Sequence, residues 1–306
     1  MTQEAQFHLL GASDIQQIAA SIGVKPTKKL GQNFMIDPGT VRRIARTAGI
    51  TENQHVVEVG PGLGSLTLAL LEAGADVTAV EIDPLLASQL PGTIAAHAPS
   101  TASKLHIVVS DALKVTAEQL RSAGDMDATK PFALVSNLPY NVATPILLTF
   151  LERFEGMASA LVLVQNEVAE RLTAAPGSKI YGSPSVKLAW YGTAQKAGMV
   201  GRNVFWPVPN VDSSLVAFTR TAATQHQHPA QLRKLTFSII DAAFAQRRKT
   251  LRAALKGTVS AHQIEVAGID PTLRGEKLTI DDFLAIAEVV AKDTDAPGSF
   301  GEGGAE

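Results

Sequence analysis

The chain has no cysteine among its 306 residues. Disulfides, thiolate metal sites and a cysteine nucleophile are thereby excluded, and the absence fits a reducing compartment. Long apolar runs are missing too. No stretch approaches the roughly 18 apolar residues of a membrane span, and Met1 to Leu10 lacks the charged start and apolar run of a signal peptide. A soluble, cytoplasmic protein is expected, with no membrane partner. An excess of positive charge is also missing. The formal net charge is −2, which argues against a general polyanion binder; any nucleic-acid contact needs its cations gathered on one face. The seven histidines show no metal-ligand spacing, and no metal site is expected.

What is present is an ordinary apolar fraction, 45%, enough to fill a sizeable core in a chain long enough for two domains. Apolar runs at Val56–Val59, Val77–Val80, His106–Val109, Ala133–Val135 and Ala160–Val164 alternate with helical patterns. That alternation predicts an α/β fold, a doubly wound, Rossmann-like parallel sheet with helices on both faces. Gln195–Val200 and Ser214–Thr219 read as two antiparallel strands closing the sheet. Helix starts are expected at Asp37-Pro38, Asp83-Pro84, Thr144-Pro145 and Ser183-Pro184, each an N-cap residue before a proline. The polar stretch Thr221–Pro229 suggests a boundary. The expected organisation is a sheet domain over residues 1–220, a smaller helical domain over 221–292 and a disordered tail over 293–306.

Gly60, Gly62 and Gly64 mark a strand-to-helix turn, where glycine permits positive φ and close approach of backbone to a ligand. The spacing is not that of the dinucleotide fingerprint, and a tight turn without ligand also accounts for it. Glu58, two residues before Gly60, either faces the cleft or simply ends its strand. Glu81 ends the next strand, where an acid can accept from both ribose hydroxyls; a solvated strand-end acid is the plainer alternative. Asp111, after the third strand, could accept from an adenine amino group or cap the following helix.

Asn137-Leu138-Pro139-Tyr140 follows the fourth strand. Asn137 offers a side-chain carbonyl. The Leu138 carbonyl is expected to be free because Pro139 cannot donate and biases its predecessor to extended backbone. Tyr140 offers a ring on which a flat base can stack. The set suits an amino group on a nucleobase. Phe205-Trp206-Pro207-Val208-Pro209 is a stiff loop carrying two aromatics. Phe205 could sandwich a flipped base against Tyr140, or the loop could be an apolar lid over the sheet. Arg247, Arg248, Lys249, Arg252 and Lys256 fall in one helical pattern, with Arg248, Arg252 and Lys256 on a single stripe. A solvated face would explain such a run; the lack of intervening acids favours phosphate contact. Lys28, Lys29, Arg42, Arg43 and Arg46 add basic spots.

At these residues the sequence resembles the small-subunit (16S) rRNA adenine dimethyltransferase family, the KsgA type. The resemblance runs from Lys28 to Ala287. It includes Leu30-Gly31-Gln32-Asn33-Phe34, the Gly60–Gly64 turn, Glu81-Ile82-Asp83, Ser110-Asp111-Ala112, Asn137–Tyr140, Gln165 to Arg171, Pro176 to Gly182 and Arg247-Arg248-Lys249-Thr250-Leu251. It implies S-adenosyl-L-methionine as methyl donor and, as partner, 16S rRNA within a small ribosomal subunit or its precursor. The target would be two adjacent adenosines in a hairpin near the RNA's 3′ end. It also implies a cofactor site lined by Asn33, Met35, Gly60, Gly62, Glu81, Asp111 and Asn137. A monomer is expected. Met35 stands where leucine is common, and Asn166 where lysine is common; the second change removes a positive charge. Two other readings remain open: a 23S rRNA adenine methyltransferase, which shares the fold and the Asn-x-Pro-Tyr type of motif, and a non-catalytic ribosome-assembly or transcription factor on the same fold.

Overall fold

The computed structural model describes residues 7–24, 33–221 and 229–295. Lys28, Lys29, Leu30, Gly31, Gln32, His226, His228 and residues 296–306 of the expected tail lie outside the described residues. The chain forms two compact units.

The first unit is built on a seven-stranded sheet. In chain order its strands are β2 (His55–Val59), β3 (Asp76–Glu81), β4 (Leu105–Val109), β5 (Phe132–Asn137), β6 (Met157–Gln165), β7 (Gly192–Val200) and β9 (Ser213–Arg220). The spatial order is β4-β3-β2-β5-β6-β9-β7. β2 to β6 pair in parallel, and β9 pairs antiparallel with both β6 and β7. The central strands are apolar on both faces, with Val56, Val57, Val77, Ala79, Leu134 and Val135 almost fully buried. That is the pattern of a parallel sheet covered on either side by helices, and it is why continuous apolar runs rather than alternation marked these strands. A separate two-stranded ladder joins β1 (Phe34–Met35) to β8 (Phe205–Trp206).

The connecting helices are α2 (Pro38–Thr47), α3 (Ser65–Glu72), α4 (Pro84–His97), α5 (Ala117–Gly124), α6 (Ala143–Arg153) and α7 (Asn166–Leu172), preceded by α1 (Ala12–Ser21). Two expected caps hold. Asp37 accepts from the Thr40 N–H and Asp83 from the Leu85 N–H. Two helices start earlier than expected: α6 is capped at Val142, and α8 (Ser183–Ala189) at Gly182. Proline fits anywhere in a first turn, because none of those N–H groups has an intrahelical partner. It therefore marks the turn and not the cap.

The second unit contains Ala174–Tyr191, hence α8, together with the chain after Arg220. The sequence-derived limit at residue 220 placed that segment in the first domain; here it belongs to the second core. Tyr181 and Val186 are buried among Ile239, Ile240, Leu255 and Phe283, and the Tyr181 hydroxyl donates to the Leu278 carbonyl at 2.9 Å. Periodicity reveals that such a helix has an apolar face, not which core receives it. The remaining helices are α9 (Ala230–Ala245), α10 (Leu251–Ala254), α11 (Ala261–Val266) and α12 (Ile280–Asp295). α12 continues past Asp293, where the tail was expected to begin.

Candidate functional site

In the strand order, β2 and β5 are neighbours, and the connection after β2 runs to β3 on one side while the connection after β5 runs to β6 on the other. Such a switch point opens a crevice at the carboxyl ends of the strands, the usual ligand position in open α/β sheets. A cavity of about 270 Å³ lies there. Its wall brings together Asn33, Met35, Gly60, Gly62, Glu81, Asp111, Asn137, Leu138 and Tyr140 from separate segments of the chain.

The glycine turn forms the floor. Gly60, Gly62 and Gly64 all have positive φ, at 69°, 58° and 98°, a region that side chains rarely enter. Gly62 is needed for a second reason: a Cβ there would lie 3.0 Å from the Phe34 ring. Glycine thus lets the Asn33–Met35 segment close over the turn. That segment is fastened by the β1–β8 ladder and by a 2.6 Å bond from Ser65 Oγ to the Met35 carbonyl.

Glu81 is 4% exposed. Its Oε2 accepts from the Gly62 N–H at 3.2 Å and its Oε1 from the Asp83 N–H at 3.0 Å. Burial raises its pKa, and those N–H groups partly oppose the rise. The carboxylate shapes the turn while each oxygen keeps a lone pair for a ligand hydroxyl. Glu58 settles an open choice. It belongs to the cavity wall, and its Oε2 accepts a 2.6 Å bond from Thr67 Oγ1. Complete burial pushes its pKa up to about 8, the Thr67 bond opposes this, and the Glu81 charge adds to it. Its position two residues before Gly60 was the only sequence signal.

Asp111 is not a helix cap. α5 begins six residues later and is capped by Thr116 in a reciprocal box with Gln119. Asp111 Oδ1 instead accepts from the Leu113 N–H at 2.9 Å. Arg153 holds the same loop by donating to the carbonyls of Val115 and Leu113 at 2.6 and 3.1 Å.

Asn137 ends β5. Its Nδ2 donates to the Asn33 carbonyl at 3.2 Å, so the side-chain carbonyl is the pole left for a ligand. The Leu138 N–H donates to the Leu163 carbonyl at 3.1 Å. The Tyr140 hydroxyl lies 2.8 Å from Ser213 Oγ. Apolar walls come from Ile82, Leu86, Ala112 and Ile146. The whole suits a nucleoside bearing a short charged tail: glycine backbone and acids at one end, apolar slabs for a flat ring, and polar acceptors at the mouth.

Phe205 does not belong to this set. Its ring has no exposed surface, it lies opposite Met35 in the β1–β8 ladder, and it packs into the main core. The expected sandwich of a base between Tyr140 and Phe205 is therefore not formed here. A ring that fastens the strap against the sheet cannot also present a face. Its neighbour Trp206, only partly buried, stacks on Phe34 at 6.3 Å between centroids.

The expected basic helix is likewise broken. α9 ends at Ala245, Arg248 and Lys249 lie in a turn, and extended backbone at Thr250 (ψ 159°) starts the short α10. The four-residue stripe of Arg248, Arg252 and Lys256 is not realised on one helix, although all three, with Lys249, are exposed. Arg247 is engaged. It pairs with Glu276 at 3.0 Å and donates to the carbonyls of Lys179 and Ser178. In the first unit Arg42 is taken up by Glu72, Arg43 donates to the Met199 carbonyl, and Arg46 is exposed. Asn166 Oδ1 accepts from Lys196 Nζ at 2.8 Å, and that ammonium also lies 3.8 Å from the Glu170 carboxylate.

Residues 23–292 match the family model described as ribosomal RNA adenine dimethylase. The chain is 61% identical over 297 residues to the "Ribosomal RNA small subunit methyltransferase A" of Bifidobacterium longum (strain DJO10A), covering 94% of this chain and 96% of that one. Among solved structures it is similar to the 23S rRNA methyltransferase ErmE, with 25% identity, a TM-score of 0.61 and coverage of 85% and 100%. It also shares its fold with a dimethyladenosine transferase from Plasmodium falciparum, at 21% identity, a TM-score of 0.67 and coverage of 85% and 98%.

Proposed function

The chain belongs to the ribosomal RNA adenine dimethylase family, and from that premise we propose that it transfers methyl groups from S-adenosyl-L-methionine to the exocyclic amines of two adjacent adenosines. These lie in a hairpin near the 3′ end of 16S rRNA, within a maturing small ribosomal subunit. The enzyme acts as a cytoplasmic monomer on this RNA. The observation that carries the reading is the tether of Asn137 Nδ2 to the Asn33 carbonyl, which presents Asn137 Oδ1 as an acceptor at the mouth of a nucleoside-sized cavity.

Glu81 would hold the ribose of the donor, Asp111 its adenine amino group, and the Gly60–Gly62 backbone its polar tail. Bound there, the sulfonium supplies an activated methyl, so the protein need not form a covalent intermediate. The chemical difficulty lies with the nucleophile, because the lone pair of an adenine amine is delocalised into its ring. Asn137 Oδ1 and the Leu138 carbonyl accept the amine's two hydrogens. That favours a pyramidal nitrogen with its lone pair aimed at the methyl, which is catalysis by positioning and preorganised dipoles. No side chain has to act as a strong base, and the proton leaves to water after transfer. Tyr140 offers the stacking face for the extruded base. Arg248, Lys249, Arg252 and Lys256 in the second unit contact phosphates. Arg247 contributes by holding the 178–179 loop.

The large-subunit reading is less well supported, since the relative named for the small subunit is far more similar than ErmE. The non-catalytic reading is disfavoured by the acceptor set at the cavity mouth. The test is methyl transfer from labelled donor to small subunits lacking this modification, set against large-subunit RNA. Two methyl groups on each of two adenosines of the small subunit are expected. Transfer only to large-subunit RNA, or to neither, would overturn the proposal.

A further inference from the structure

A stacking face does not require a hydroxyl; phenylalanine offers the same ring. The residue at the cavity mouth is nonetheless Tyr140, and its hydroxyl lies 2.8 Å from Ser213 Oγ. Ser213 is fully buried. It opens β9 at a position fixed from both sides, opposite Gln165 of β6 and Val200 of β7. Tyr140 sits differently. It occupies a turn after β5, partly exposed, where the Leu138 N–H bond to Leu163 and the Val142 N–H bond to Pro139 fix only the backbone. The side-chain bond therefore reaches from the loop after β5, past β6, to the rigid start of β9.

We propose that Ser213 is a positioning residue for methyl transfer: through its bond to the Tyr140 hydroxyl it anchors the χ1 rotamer, and so the position, of the ring against which the target adenine stacks. This rests on the reading of Tyr140 as the stacking face. The physical basis is entropic. A ring free to turn about χ1 presents its face only part of the time, and a hydrogen bond at its far end removes that freedom before the base arrives. A phenol is neutral at neutral pH and able to donate; burial raises its pKa further, and the Ser213 bond opposes that rise. The next residue is engaged elsewhere, since Ser214 Oγ bonds Asn166 Oδ1 at 2.8 Å. Successive strand residues point to opposite faces, so only one of the paired serines serves the cavity.

The experiment is a double-mutant cycle on the full chain with Tyr140→Phe, Ser213→Ala and the double variant, plus Tyr140→Ala. Single-turnover methyl transfer to unmodified small subunits, calorimetric affinity for S-adenosylhomocysteine and thermal stability are measured for each. Each single variant should slow transfer about five- to tenfold, as expected for one lost hydrogen bond, with ligand affinity within twofold of wild type. The double variant should be no slower than the slower single one. Effects that multiply in the double variant, or a Ser213→Ala defect that persists undiminished in the Tyr140→Phe background, would overturn the proposal. Should Ser213→Ala fail to fold, Tyr140→Phe removes the same bond from its exposed side, and a wild-type rate for it would be equally fatal. Tyr140→Ala separates the two layers: a wild-type rate there would sink the stacking reading itself, whereas a slow Tyr140→Ala beside a normal Ser213→Ala would sink only the tether.

Discussion

Thr67 Oγ1 donates to Glu58 Oε2 at 2.6 Å, joining α3 to β2 beneath the glycine turn with an acid that has almost no exposed surface. Burial holds the Glu58 carboxyl protonated up to about pH 8. The folded pKa lies above the unfolded value, so between about pH 5 and 8 the folded state binds the extra proton. The Glu58 contribution is then fully present below that window, is lost as pH rises through it, and changes no further above it. Glu58→Gln keeps an acceptor for Thr67 and removes the ionisation. The variant should gain stability over wild type at pH 8, on the order of 2–4 kcal/mol, and less at pH 6. Denaturant unfolding at the two pH values checks this; an equal difference at both would show that Glu58 does not titrate in that range.

Glu81→Ala should weaken S-adenosylmethionine binding by about 1.5–3 kcal/mol. The loss has two parts: the ribose hydroxyls lose their acceptor, and the Gly62 N–H loses the partner that shapes the turn. Calorimetric titration measures it, and unchanged affinity would remove Glu81 from the site.

Asn137→Ala should lower the methyl-transfer rate roughly a hundredfold or more, the scale of one lost preorganised dipole at a reacting centre. Binding to small subunits should persist, because phosphate contacts supply most of that affinity. Single-turnover rates beside subunit binding test the pair of expectations, and near-normal turnover would contradict the acceptor role.

Phe205→Ala should act through folding. Removing a fully buried ring costs about 3–5 kcal/mol, so the melting temperature should fall and donor affinity should fall with it as the Asn33–Met35 strap loosens. A stable variant with slow transfer and normal donor affinity would instead restore Phe205 as a stacking partner for the base.

Replacing Arg248, Lys249, Arg252 and Lys256 together by glutamine should flatten the salt dependence of subunit binding. A drop of about three to three and a half units of log–log slope is expected, each phosphate contact contributing roughly 0.7–0.9. Donor affinity should not change. Arg247→Gln belongs to another class: it breaks the pair with Glu276 and should lower stability. Parallel salt plots for wild type and the quadruple variant would send the search for the RNA surface elsewhere.

The sequence by itself determined the parallel sheet, because strands buried on both faces must be apolar throughout, and Val56, Val57 and Val77 say so without reference to any neighbour. It also determined the groups at the strand ends. A positive-φ turn needs glycine, as at Gly60 and Gly62, and Pro139 biases Leu138 to extended backbone. Questions of partnership were decided only by the tertiary structure. Phe205 and Tyr140 both read from the sequence as loop aromatics, yet one pairs in a strand and closes a core while the other lines a cavity, because burial depends on what the fold brings opposite each ring. Ser213 has no signal along the chain, since its bond to Tyr140 joins residues 73 positions apart. The segment Ala174–Tyr191 has an apolar helical face legible in one dimension, but which of two cores would bury that face is a property of three.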